Sequence, residues 1–504
     1  MRATASFRLV VLSLGIGLAA FPSPRAQAAD PEDPPRRNVL FITADDLNCD
    51  LGSYGHPLVR SPAIDSLSRR GVRFELAYCQ YPVCNPSRSS FMTGLYPEQT
   101  GVLTNAGDFR KRLPGVRTLP QLFRDHGYFV ARVGKIYHYG VPLQIGTDGK
   151  DDTASWEKKV NPRGIDREVH EKIHTLQNGQ FGGTLSWLSI ESEDAEHTDG
   201  IGATEAIRLL EENHPERTGR PFFLAVGFYR PHTPYVAPKR YFDLYPRDAI
   251  QPVLEEPGDR DDIPVAALAD RPKQRELTPA QRKEIIQAYY ASVSFLDAQV
   301  GRLIDALDRL DLAESTVIVF VSDHGYHLGH HGLWQKGDLF EGSARVPLII
   351  VEPGNPNAGR ATRAVAELAD LYPTIAELCG LPPPDHLAGE SAVPALRDVS
   401  HPGKAAALTV AWSRAGALHR ELRGEKVLGH SIRTSRYRYT EWSRGERGAE
   451  LYDYDSDPEE RRNLALDPEH AGTARHLAKL LAEKVEAARD PAKVDAANAT
   501  RSRR

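Results

Sequence analysis

Cys84 opens the run Cys84-Asn85-Pro86-Ser87-Arg88-Ser89-Ser90-Phe91-Met92-Thr93-Gly94. Its plain reading is a buried core cysteine beside a Pro-Ser turn, and Cys-x-Pro-Ser-Arg alone leaves that reading open. Other reactive types recur in tight groups: Asp45 with Asp46, Lys135 with His138, His232 after Arg230-Pro231, Asp323 with His324, and Lys336. Asp45, Asp46 and Asp323 offer hard oxygen donors for a divalent cation. His324 adds an imidazole, which softer metals also accept. Lysines can hold an anion, and histidines can move protons. Taken singly, each has a bland alternative: an Asp-Asp pair or a lysine is usually solvated, and a lone histidine is more often structural.

The elements that must carry these residues change that balance. Four β-rich apolar runs lack polar alternation, as buried parallel strands do. Asn38–Thr43 delivers Asp45 and Asp46, and Tyr128–Val133 delivers Lys135 and His138. Phe222–Gly227 delivers His232, and Thr316–Val321 delivers Asp323 and His324. In open α/β sheets ligands bind beyond the carboxyl ends of strands, so four such ends converge on one site. Helical patterns lie between them. Ser61-Pro62 starts one that Gly71 closes, Thr204–Glu212 reads as another, and Thr278-Pro279-Ala280-Gln281 caps a long one reaching about Leu310. The stretch 141–192 is polar and Gly-rich, and reads as a surface loop where selectivity resides.

A second region follows Leu381-Pro382-Pro383-Pro384-Asp385. Ser431–Trp442 and Ala449–Asp455 read as antiparallel strands, and Ala471–Arg489 as an amphipathic helix. The expected division is a signal peptide at 1–28, a catalytic domain at 36–395, a small α+β subdomain at 400–490 and a disordered tail at 491–504. Arg2 and Arg8, the apolar Leu9–Phe21 and Ala26-Gln27-Ala28 form the export pattern. An uncleaved anchor is the alternative, but the apolar run is short for a span. Export to a periplasm or the exterior is therefore expected, with no transmembrane span in the mature chain. Asn498-Ala499-Thr500 is a glycosylation sequon.

The formal net charge of −5 over 504 residues gives no global basic surface, which argues against nucleic acid. Four cysteines in a chain this long exclude a disulfide scaffold. If Cys84 is modified, at most one pair can form among Cys49, Cys79 and Cys379.

The Cys84–Gly94 run resembles C-x-P-S-R-x-x-x-x-T-G, the pattern around the active-site cysteine of type I sulfatases. From Asn38 to about Pro468 the chain resembles a sulfatase of the alkaline-phosphatase superfamily, on the iduronate-2-sulfatase branch. That branch is suggested by Phe41–Asn48, Gly134–His138, Phe222–Pro234, Ser322–Gly329 and Ser431–Thr440. The resemblance implies a large mixed α/β sheet flanked by helices, followed by a smaller antiparallel sheet. It also implies that a maturation enzyme oxidises Cys84 to formylglycine, whose hydrate attacks sulfur. One calcium ion would sit among Asp45, Asp46, residue 84, Asp323 and His324. Lys135, Lys336 and His232 would bind sulfate, Arg88 would hold the formylglycine, His138 would assist the hydrate, and His232 would protonate the leaving oxygen. The implied substrate is an O-sulfated carbohydrate. The match loosens over Leu95–Phe109 and 141–192, where substrate is chosen. Competing readings are a phosphonate or phosphate ester hydrolase on the same scaffold, and a glycan-binding protein without turnover. His327, His330 and His331 receive no role and are expected at the rim or surface.

Overall fold

In the computed structural model, which describes Met1 and residues 36–499, the four loaded runs are neighbouring strands. Their order is Thr316–Ser322, Asn38–Asp45, Phe222–Pro231 and Phe129–Gly134, all parallel. Lys158–Val160 extends the sheet on one side. On the other come Leu348–Val351, Val72–Tyr78 and Ala361–Glu367, giving eight strands. Leu348–Val351 runs antiparallel to both neighbours, which makes the sheet mixed.

Period-two geometry explains why these strands are apolar throughout. Leu40, Ile42, Val133, Leu224 and Phe320 face one core, with Ile285, Tyr289 and Leu296 of the Pro279–Arg309 helix. Val39, Phe41, Val130, Phe223 and Val319 face the other, with Phe91 of the Cys84–Thr93 helix and Ile375 of Leu371–Leu378. Both faces are covered, so neither tolerates alternation. Thr278 caps the long helix by accepting from the Gln281 amide at 3.3 Å.

A second sheet is an antiparallel meander of Ala407–Trp412, Leu428–Arg433, Tyr437–Trp442 and Ala449–Asp453. Leu477 and Leu481 of the Ala471–Ala487 helix cover it, against Leu408, Ile432 and Leu451. From Arg36 onward the chain forms one compact unit containing both sheets.

Several expectations need correction. The Thr204–Glu212 helix starts six residues earlier, at Thr198. Ser431–Trp442 is two strands, separated by a turn at 434–436. The 141–192 stretch is not only surface: Lys158–Val160 joins the main sheet, Ser186–Ile190 pairs with Tyr235–Pro238, and Trp156, Ile173 and Leu185 are buried. Strands of three to five residues are too short to produce a periodic signal. The expected tail at 491–504 is helical from Pro491 to Ala499, with Ala497 in the core. Alanine-rich sequence behind an initiating proline favours that helix. The 1–28 segment, apart from Met1, and residues 500–504 lie outside the described residues. All four cysteines are unpaired.

Candidate active site

The Cys84–Thr93 helix is buried along its whole length, and Cys84 is its first residue. Pro86 falls in the first turn, where a missing amide costs no helical hydrogen bond. Gly94 ends the helix at φ 69°, and a side chain there would fall 2.5 Å from Leu387 Cδ2. The Thr-Gly of the motif thus stops the helix against the core. At the other end, free amides and the helix dipole favour negative charge beside Cys84.

Around Cys84 Sγ stand His324 Nε2 at 3.5 Å and Lys336 Nζ at 3.6 Å. Burial and Asp45 push the Cys84 thiol up. Lys336, Lys135 and a hydrogen bond with His232 outweigh them, leaving it well below its usual value. Lys135 pairs with Asp45 Oδ2, and Lys336 with Asp46 Oδ1. Arg88 donates to Asp323 Oδ2 at 2.8 Å and to the Lys135 and Ile136 carbonyls at 2.6 and 3.0 Å.

Donor atoms of Asp45, Asp46, Cys84 and His232 lie within 4.8 Å of one another, as do those of Asp45, Cys84, Asp323 and His324. Asp46 is held at φ 67°, in the left-handed region, and its buried Oδ2 has no hydrogen-bond partner. An orphaned carboxylate oxygen among hard donors fits a divalent cation. Burial raises the Asp323 carboxyl to about 6, against the pull of Arg88. His324 is raised to about 9 because Asp323 and Cys84 outweigh the effect of burial.

His232 donates Nδ1–H to the Thr233 carbonyl at 2.5 Å. Its Nε2 therefore faces the site as an acceptor, 3.9 Å from Asp46 Oδ2. Burial, Lys336 and Lys135 lower it to about 4. His138 lies farther out, half-buried, with Nδ1 unpartnered; burial and Lys135 lower it to about 3.

The structure thus brings Asp45, Asp46, Cys84, Arg88, Lys135, His232, Asp323, His324 and Lys336 into direct contact, with His138 beside them. It departs from expectation at the other histidines. His327 and His331 are buried rather than at the surface, bonded to Asp338 at 2.9 Å and Asp259 at 3.1 Å. Sequence reasoning missed the residues that hold His232. Arg230 donates to the His232, Pro234 and Val236 carbonyls and to Asp166, while Asp199 accepts from the Tyr229 and Arg230 amides. The Arg-Pro-His triplet was a usable signal for Arg230; Asp199, inside a helix, carried none.

The family model described as Sulfatase matches residues 37–381, more than half of the chain. The chain belongs to the sulfatase family. The model described as N-sulphoglucosamine sulphohydrolase, C-terminal, matches residues 329–487 of this sulfatase. Iduronate 2-sulfatase of Mus musculus is 34% identical, covering 87% of this chain and 93% of the relative. The Homo sapiens protein of the same name is 33% identical, with 85% and 91% covered. These matches place the enzyme, a sulfuric ester hydrolase, on the iduronate-2-sulfatase-like branch. Among solved structures, a phosphonate monoester hydrolase of Agrobacterium radiobacter superposes with TM-score 0.72 at 25% identity, covering 90% of this chain and 96% of that one. A 2-O GAG sulfatase gives TM-score 0.68 at 23% identity, with 91% and 94% covered, and shares the fold. Membership of this hydrolase family sets aside the reading of a glycan binder without turnover.

Proposed function

We propose that this sulfatase hydrolyses the sulfate ester of an O-sulfated carbohydrate in the manner of an iduronate 2-sulfatase, after conversion of Cys84 to formylglycine. The observation that carries the reading is the ring of Lys135, Lys336, His232, His324 and three aspartates around one cysteine at the head of a buried helix. The formylglycine hydrate supplies the nucleophile. Asp45, Asp46, Asp323 and His324, beside residue 84, would hold a calcium ion, which would supply Lewis acidity.

The chain's own side chains do the rest. Lys135 and Lys336 are fixed by Asp45 and Asp46, so their ammonium groups meet sulfate oxygens in a water-poor site without reorganising. Arg88 locks Asp323 and the Lys135 backbone in one geometry. His232, neutral with Nε2 inward, accepts a proton near residue 84 and returns it to the leaving sugar oxygen; His138 serves the hydrate from the outer side. Overall, water and the sulfate monoester anion give the alcohol, the sulfate dianion and one proton released to solvent. The 36–395 region carries this chemistry, and the 1–28 leader directs export. Among the described residues no helix is long and apolar enough to cross a membrane.

The test combines mass spectrometry across Cys84 with rates on a sulfated uronide, 4-nitrophenyl sulfate and a phosphonate ester. Conversion of thiol to aldehyde, with sulfate esters turned over fastest, is expected. A retained thiol in a host possessing the maturation enzyme overturns the reading. Faster phosphonate hydrolysis moves it to the phosphonate branch.

A further inference from the structure

Near the site the fully buried arginines have their charges answered by carboxylates. Arg88 meets Asp323 and Asp45, and Arg230 meets Asp166. Half-buried Arg271 differs: among the described residues it forms no ion pair, and its Nη1 donates to the Gly183 carbonyl and the Gln335 side-chain oxygen, both neutral. The adjacent Asp270 is already engaged by Arg260, and Glu255 by Arg275. Arg414 is similar. Its Nη1 lies 3.5 Å from the Lys336 carbonyl, and among the described residues it forms no ion pair.

Both arginines grip the segment that delivers Lys336. Gln335 is held at φ 72° and Gly337 at φ 109°, so the backbone is forced into left-handed conformations on either side of the lysine. Gln335 faces Arg271 and Gln274, Lys336 points inward to Cys84, and a Cβ at Gly337 would fall 2.6 Å from the Arg414 guanidinium carbon. From the opposite wall, Gly182 lies beside His232: a Cβ there would be 3.7 Å from the His232 ring, and Thr233 donates to its carbonyl at 3.0 Å. Gly183, the next residue, holds Arg271. Both arginines are half-buried: Arg271 spans from the Gly183 side of His232 to Gln335, and Arg414 lies against the Lys336 carbonyl and Gly337. Burial first, and then the like charge of Arg414, lower Arg271 to about 10, although Asp46 pulls the other way.

We infer that Arg271 and Arg414 form a second anion subsite, which takes a carboxylate or a further sulfate carried by the same substrate. A planar guanidinium fork matches both oxyanions in a bidentate way, and a ligand anion would relieve the repulsion between the two. The inference rests on the proposed sugar-sulfate reading and supplies its specificity: a neutral monosulfated sugar leaves the pair unanswered.

Binding to Cys84→Ala, which cannot turn over, tests it by calorimetry with three ligands: a uronide 2-sulfate, a disulfated neutral hexose and a monosulfated neutral hexose. At least one of the first two should bind about tenfold or more tighter than the third, the scale of one charge-assisted hydrogen bond. Arg271→Gln or Arg414→Gln in that background should bring the ratio near one. Whichever dianion holds the preference identifies the group as carboxylate or sulfate. No preference in Cys84→Ala, or a preference unchanged in both variants, overturns the subsite. So does equal weakening of all three ligands, which would make the arginines mere supports of the Lys336 segment. Failure of the converted enzyme to cleave any sulfate ester, with the preference intact, sinks the proposed function and leaves the subsite standing.

Discussion

Arg88 shows how much of the site hangs on one side chain. It is completely buried and reaches Asp323, Asp45 and the Lys135 and Ile136 carbonyls, tying three strand ends together. Burial alone would weaken its charge, but Asp323 and Asp45 hold its pKa above the ordinary arginine value. Arg88→Met fills similar volume and leaves Asp323 buried beside unpaired carbonyls. Breaking a buried pair from one side costs about 3–5 kcal/mol. Denaturant unfolding of Arg88→Met should show a loss of that size. A loss below about 1 kcal/mol would mean that the aspartates find other donors, and the hub would be refuted. The same residue was legible in sequence only through its place in the cysteine motif. Nothing in the spacing announced that its partners would include the Lys135 and Ile136 backbone carbonyls and carboxylates from two strand ends.

At the scale of elements, the close approach of two strand ends sets the position of Lys135. Its amide donates to the Gly227 carbonyl at 2.7 Å. A Cβ at Gly227 would sit 2.0 Å from the Lys135 carbonyl oxygen, and one at Gly134 would sit 2.2 Å from the Gly227 oxygen. Gly227→Ala must therefore push the lysine outward. The expected result is a fall in kcat/KM on a sulfate ester of about a hundredfold, the scale of a misplacement near 1 Å, with Gly472→Ala, which meets nothing within 4 Å, as the silent control. Equal activity in the two variants would show that strand spacing does not set the lysine. The four strands delivering the site were legible because burial on both faces leaves an uninterrupted apolar run. Leu348–Val351 and Lys158–Val160 were not, being too short to stand out from loop sequence. The Pro491–Ala499 helix was hidden for a different reason. Its anchoring contacts are tertiary: Ala497 enters the core, and the Asn498 carbonyl lies where a Cβ on Gly115 would meet it at 2.6 Å. The buried His327 and His331 escaped for the same reason, since their carboxylate partners lie elsewhere in the chain.

Across the whole molecule, Glu341 joins the two sheets. It lies five residues after Lys336, in a stretch that both family models cover, and its carboxylate meets Arg433 and Arg438 of the second sheet. Tyr78 of the main sheet and Tyr454 donate to the same carboxylate at 2.9 and 3.1 Å. Burial pushes this carboxyl up, but Arg433, Arg438 and Arg345 outweigh it and lower it to about 2. Its folded value is thus below its unfolded one. The stability it contributes is present above about 4.5 and is lost as pH falls towards 2. At 1.36 kcal/mol per unit, the window holds on the order of 3 kcal/mol as an upper bound. Glu341→Gln keeps the shape, removes the charge and leaves Arg433 and Arg438 facing a neutral amide, although Glu460 still pairs with Arg438. The variant should melt below wild type at pH 7, and the gap should narrow as pH drops from 4.5 towards 2. A gap independent of pH across that window would assign the loss to packing and remove Glu341 as the electrostatic joint between the sheets.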